Sequence, residues 1–227
     1  MSDHQRQQCY RAEREVRVDS RYFTTRPHVR QFVQHVSADD GGGSFIWPEV
    51  SVAFSRAAPT ARGGRYKDGW GICLTAGFYG AGCDWSWSTL VILHELAHVQ
   101  HKANAANQAD LDLSWNERHE GHGSLWAATF VKLVARHMGM REARELAGAL
   151  IRHDADIYPF SWDDLAHKGT NPVSEYLVDR LTIPRLQFAE GEEMRHLGSE
   201  PEPALGVPYW NQRPLSRRLS GSQDSRG

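Results

Sequence analysis

Residues 90–99 combine a long aliphatic run with three polar side chains. The stretch reads Leu-Val-Ile-Leu-His-Glu-Leu-Ala-His-Val, so that only His94, Glu95 and His98 are polar. A helix with apolar residues on nearly every side lies in the protein interior, where polar groups without partners are costly. The rest of the chain must therefore supply partners for these three side chains.

Helix geometry places His94 and His98 one turn apart on the same face, so both imidazoles can point at one metal ion. Glu95 lies about 100° around the helix, close enough to reach a water molecule beside that metal without being a ligand. Two neutral imidazoles with an adjacent glutamate are typical of zinc peptidases, in which the glutamate is the general base. The alternative is a core helix whose histidines only make hydrogen bonds.

A catalytic zinc site needs three protein ligands, so a third ligand must come from elsewhere in the chain. A metzincin would have glycine three residues after His98 and histidine three residues later. This chain has His101 and Asn104 there, which excludes that class. We expect His101 to face solvent or to lie just outside the ligand set. Three downstream residues remain as candidate ligands: Glu117, His119 and His122.

His122 begins the sequence His-Gly-Ser-Leu-Trp, which leads into a predicted amphipathic helix. A His-Glu-x-x-His helix followed by His-Gly-x-x-Phe/Trp resembles the SprT-like zinc proteases, and the resemblance implies that His122 is the third ligand. Gly123 permits close approach to the metal helix, and Trp126 would anchor the second helix in the core. The interval from His98 to His122 is longer than in those proteases. No four-cysteine zinc ribbon follows, so a role on DNA–protein crosslinks does not carry over.

The layout is also similar to a small family of zinc metallohydrolases of actinobacteria and their phages. These share an N-terminal helix with arginine and tyrosine, here residues 9–13 (Cys-Tyr-Arg-Ala-Glu), ahead of the strands and the two metal helices. The likeness covers residues 5–157. It implies an α+β, zincin-like fold with N-terminal helices, a small β-sheet, and the His-Glu-x-x-His helix packed on a second ligand-bearing helix. It does not identify a substrate.

Hydrophobic periodicity predicts the remaining elements. Helices are expected at residues 5–18, 27–37, 124–138, 140–152 and 173–181, with the metal helix ending near residues 101–105. Strands are expected at 44–56 and 70–76, and a loop at 59–64. We expect a metallohydrolase domain over residues 1–160, a C-terminal extension over 161–190, and a disordered tail over 191–227.

The expected function is that of a zinc-dependent metallohydrolase, most simply a peptidase. Glu95 would accept a proton as water attacks a polarised carbonyl and pass it to the leaving amine. Strand 70–76 is expected to present an edge to an extended peptide. Tyr79, His119 and Tyr158 are candidates for stabilising the oxyanion, and the sequence does not separate them. The alternative function is a catalytically silent, zincin-shaped zinc-binding interaction module.

Composition limits the partners of the protein. A net charge of −2 over 227 residues provides no basic field for nucleic acid. Three cysteines without a Cys-x-x-Cys pair fit a reducing compartment, and we expect Cys73 and Cys83 to be buried thiols. No segment resembles a signal peptide or a membrane span. We therefore expect a cytoplasmic protein with a peptide or protein substrate and no membrane or nucleic-acid partner.

Overall fold

The computed structural model of this chain describes residues 5–16, 21–41, 46–55, 60–75, 84–104 and 121–184. All of these residues belong to one compact unit, Met1–Met194. They form helices together with two small sheets, in agreement with the predicted α+β class. The predicted tail, residues 191–227, lies outside the described residues.

Most of the helices lie where periodicity placed them. They are α1 (Arg6–Glu15), α2 (Arg26–Ala38), α3 (Thr89–Asn104), α4 (Ser124–His137), α5 (Met140–Arg152), α6 (Trp162–Lys168) and α7 (Pro172–Leu181). Side-chain oxygens cap four helix starts by accepting a hydrogen bond from a backbone amide of the first turn: Thr25 for α2, Ser88 for α3, Ser161 for α6 and Asn171 for α7. Helix α6 was not predicted, because it has only seven residues and none of them is buried. Its apolar side chains, Trp162 and Leu165, are only partly buried against the core.

The strands form two sheets. They are β1 (Arg21–Phe23), β2 (Val50–Ser55), β3 (Arg62–Tyr66), β4 (Gly69–Thr75) and β5 (Thr182–Pro184). One sheet has the order β2-β4-β3, with β2 parallel and β3 antiparallel to β4, and the other is the antiparallel pair of β1 and β5. The C-terminal segment thus pairs with the N-terminal part of the chain.

Strand β3 corrects two predictions. The loop expected at residues 59–64 is wrong for residues 62–64, because β3 begins at Arg62 and forms a hairpin with β4. A two-residue turn, Lys67-Asp68, joins the strands, and Gly69 follows with φ +133°. The Asp-Gly pair is a turn signal that could have predicted the hairpin. The expected peptide-binding edge on strand 70–76 is also wrong, because β4 is the central strand and is hydrogen-bonded on both sides.

Helix α3 lies in the centre of the fold, as its apolar run predicted. Thirteen of its sixteen residues are buried. It packs on α4 and on β3 and β4. The contact with β3 is close: a Cβ on Gly63 would lie 1.9 Å from the carbonyl oxygen of Glu95. None of the helices in the described part of the chain is long and apolar enough to cross a membrane.

A second buried polar cluster joins α2, α4 and α7. The Ser174 hydroxyl lies 2.8 Å from Nε2 of His35 and 2.6 Å from Nδ1 of His137. Asp39 accepts a hydrogen bond from Arg136 at 2.8 Å, but it lies 3.9 Å from Nε2 of His137. Ser174 has no exposed surface, so a substrate cannot reach its hydroxyl. The cluster therefore connects the C-terminal helices to the core and is not a serine-hydrolase triad.

Acidification is expected to destabilise the protein through His137. Burial lowers the pKa of His137 well below the usual imidazole value, although the Asp39 carboxylate opposes this. Below pH ~6.5 the His137 imidazole is therefore protonated in the unfolded state but stays neutral in the folded state. The free energy of unfolding falls as a result, by up to ~1.4 kcal/mol per pH unit. Urea unfolding of metal-free protein between about pH 7.5 and about pH 5 measures this slope.

Two variants separate His137 from the other histidines. His137→Gln should show a shallower dependence of unfolding free energy on pH, because the depressed imidazole is gone. His167→Gln removes an exposed imidazole on α6, and should keep the wild-type slope. Equal slopes in wild type and His137→Gln would contradict the prediction.

Candidate metal centre

Three imidazoles meet where α3 passes the start of α4. His94, His98 and His122 are buried, and each offers one ring nitrogen within 4.8 Å of the other two. The ring centroids are 4.9 Å apart for His94 and His98, 5.3 Å for His94 and His122, and 4.6 Å for His98 and His122. The structure thus brings His122 to the pair on α3. The other two candidate ligands, Glu117 and His119, lie outside the described residues.

The donor set fits a metal ion. Nε2 of His94 and Nε2 of His98 are 3.2 Å apart. Two nitrogens bound to one tetrahedral zinc at ~2.0–2.1 Å would be separated by ~3.3–3.4 Å, so this pair already has ligand spacing. Burial also holds the pKa of His98 well below its usual range, which keeps the ring neutral and its lone pair available. The group could hold a metal ion, and the donor atoms alone do not identify which metal.

Aromatic rings enclose the three imidazoles. Trp126 is fully buried, stacks on His98 at 5.1 Å, and meets His94 and His122 edge-on at 4.8 and 4.6 Å. Tyr10 of α1 stacks on His94 at 5.9 Å and meets His122 edge-on at 5.3 Å. Trp126 therefore anchors α4 in the core, as the sequence predicted, and it also fixes the orientations of the imidazole rings.

Glu95 is buried beside this group, with 6% of its surface exposed. Burial raises the pKa of Glu95 to about 7, although the neighbouring His94 and a hydrogen bond from the Gly63 amide lower it. The Gly63 amide that donates this bond belongs to β3, the strand that packs against α3. A carboxyl group with a pKa near neutrality can both accept and release a proton, as a general base must.

Helix α1 contributes contacts that sequence reasoning missed. The Glu13 carboxylate lies 2.6 Å from Nδ1 of His94, and the Cys9 thiol lies 3.9 Å from the His122 carbonyl oxygen. Cys9 and Ala12 form the buried stripe of α1. Glu13 is one turn after Cys9, so helical spacing places this carboxylate near the buried face. An acidic residue at that position was the signal that could have pointed to a buried partner.

The remaining predicted site residues have different outcomes. Of the two alternatives for His101, the solvent-facing one is wrong, because His101 is fully buried. It does not belong to the three-histidine group, as expected. Tyr158 donates its amide to the Ser124 carbonyl at the start of α4. Tyr79 lies outside the described residues, as does Cys83. Cys73 is buried and not in a disulfide, as expected.

Comparisons of the chain with protein-family models, curated proteins and solved structures found no match.

Proposed function

We propose that the protein is a zincin-like zinc metallohydrolase that cleaves peptide or amide bonds. The observation that supports this most directly is the buried carboxyl group of Glu95. Glu95 directly follows His94 of the three-histidine group, and its carboxylate accepts a hydrogen bond from the Gly63 amide. Three protein ligands leave a fourth position for water, the arrangement of catalytic zinc sites, whereas structural sites use four protein ligands. The resemblance of the His122-Gly123 motif to SprT-like proteases supports the same proposal.

Zinc bound by these histidines would polarise a carbonyl group and acidify water. The chain's own residues supply the proton transfer and the surroundings. Glu95 takes a proton from the attacking water and delivers it to the leaving amine. The Gly63 amide orients the carboxylate. Trp126 and Phe130 pack against His94 and keep bulk water from that side of the site.

Strand β3 is the better candidate for binding an extended peptide. Strand β4 is paired on both sides, whereas β3 is at the border of the described sheet and has β4 as its only partner there. It also packs on α3 beside Glu95. A peptide that added to this border would gain main-chain hydrogen bonds while its scissile bond lay near the general base.

Glu95→Gln is expected to retain zinc and lose hydrolysis. Glutamine has nearly the same shape but cannot accept the proton, so turnover should fall ~10²–10⁴-fold. Elemental analysis measures the zinc content, and release of dye from fluorescein-labelled denatured casein measures hydrolysis. Glu145→Gln, at an exposed position on α5, is the matched control and should behave as wild type.

Three outcomes would count against the proposal in different ways. Full turnover by Glu95→Gln would remove Glu95 as the base. Wild-type protein that binds zinc but cleaves no labelled casein, and no labelled peptide from a mixed library, would favour the silent interaction module. Wild-type protein without zinc would contradict the metal site itself.

A further inference from the structure

We propose that Glu13 is a positioning residue of the metal centre, which holds the His94 ring in the tautomer that presents Nε2 to the metal. The inference rests on the proposed metal site. It adds to that site a residue from α1, whose carboxylate meets Nδ1 of His94, while Nε2 of the same ring faces His98.

The contact between Glu13 and His94 is short and shielded from solvent. Oε1 of Glu13 lies 2.6 Å from Nδ1 of His94, and the two side chains are 15% and 4% exposed. An ionised carboxylate can only accept a hydrogen bond, so the imidazole proton must be on Nδ1. Hydrogen bonds to charged groups in such surroundings are stronger than neutral ones.

The position of this proton decides what the other ring nitrogen can do. A neutral imidazole with its proton on Nδ1 keeps a lone pair on Nε2. That Nε2 is the atom that lies 3.2 Å from Nε2 of His98. Glu13 therefore points the free lone pair of His94 into the three-histidine group. The opposite tautomer would direct an N–H group there and prevent metal binding.

Several contacts hold α1 in place, so the Glu13 carboxylate is fixed relative to His94. Cys9 and Ala12 have no exposed surface, and α1 packs on α5. The Gln5 side chain exchanges two hydrogen bonds with the backbone of Asp156. A carboxylate on a helix held in this way loses little side-chain freedom when it orients the ligand.

Zinc affinity is expected to fall when this hydrogen bond is lost. Glu13→Ala should weaken zinc binding ~10–100-fold, the usual cost of removing a partner that orients a metal-binding histidine. Glu13→Asp keeps the charge but shortens the side chain by one methylene, and should also bind zinc more weakly. Glu13→Gln keeps an oxygen that can accept the Nδ1 proton, and should recover much of the affinity. Competition with a chromophoric zinc chelator measures all three.

Glu15→Ala is the matched control. Glu15 is two residues further along the same helix, and its partners Arg152 and His153 do not belong to the three-histidine group. The Glu15 side chain is partly exposed and does not contact His94, and the buried contacts of α1 stay in place without it. Zinc affinity of Glu15→Ala should therefore stay within about two-fold of wild type if Glu13 acts through His94. Circular dichroism confirms that each variant is folded before titration.

A spectroscopic measurement reports the tautomer directly and does not depend on zinc. Long-range ¹H–¹⁵N correlation spectra of the metal-free protein should show His94 with its proton on Nδ1 in the wild type and in Glu13→Gln. In Glu13→Ala the His94 signals should shift toward a mixture of tautomers. A role of Glu13 confined to packing would leave these signals unchanged.

The outcomes distinguish this inference from the proposed function. Tight zinc binding by the wild type together with unchanged affinity in Glu13→Ala, or in Glu13→Asp if the alanine variant does not fold, would overturn the positioning role and leave the metal site intact. Wild-type protein that binds no zinc would instead contradict the metal site, whatever the tautomer of His94.

Discussion

His94→Ala is expected to abolish stoichiometric zinc binding. The substitution removes one of three nitrogen donors, and it leaves the Glu13 carboxylate without its hydrogen-bond donor in a mostly buried position. Loss of the ligand His94 should weaken zinc binding more than loss of its hydrogen-bond partner Glu13 does, so zinc affinity should fall by more than ~100-fold. Elemental analysis after dialysis should change from about one zinc per chain to nearly none.

Two further variants complete this experiment. His122→Ala should lose zinc as His94→Ala does, because the structure places its ring with the other two. If His122→Ala keeps the metal while His94→Ala loses it, a residue outside the described part of the chain, such as Glu117 or His119, is the third ligand. His153→Ala removes an imidazole outside the three-histidine group and should retain the zinc. Stoichiometric zinc in His94→Ala would contradict the metal site.

Gly63→Ala is expected to destabilise the protein by about 3 kcal/mol, the upper end of the usual cost of overpacking. The added methyl group would lie 1.9 Å from the Glu95 carbonyl oxygen and 2.7 Å from its carbonyl carbon. Both atoms belong to the backbone of a buried helix, so no side-chain rotation can relieve the overlap. Strand β3 and α3 must separate, which also disturbs the hydrogen bond from the Gly63 amide to the Glu95 carboxylate.

Urea unfolding measures the loss of stability, and casein hydrolysis should fall as well because the base is displaced. Gly148→Ala is the matched control. A Cβ there would meet only the end of the flexible Arg152 side chain, at 3.2 Å. Alanine is favoured over glycine in a helix by up to ~1 kcal/mol, so this variant should be as stable as wild type or slightly more stable. Equal stability of both variants would contradict the close packing of β3 on α3.

Local patterns predicted the parts of the fold that depend on local physics. Helical periodicity located α2, α4, α5 and α7, because the apolar face of each must meet the core. The predicted break between the helices at 124–138 and 140–152 is also present, between α4 and α5. Helix α6 and strand β3 were not predicted, because neither has a clear pattern of buried apolar residues. The first has no buried residue, and the second includes Gly63 and Gly64, which have no side chain to reveal a pattern.

For the site, the sequence by itself determined the pair of histidines on α3 and the adjacent glutamate, because spacing within one helix fixes which side chains share a face. It also indicated His122, through a short motif. Only the tertiary structure decided that Glu13 contacts His94, a partner 81 residues away, and that the Gly63 amide donates to Glu95. These contacts depend on how α1 and β3 pack against α3. No rule of local spacing relates residues on separate elements, so the surroundings of the metal helix follow from the packing of the whole domain.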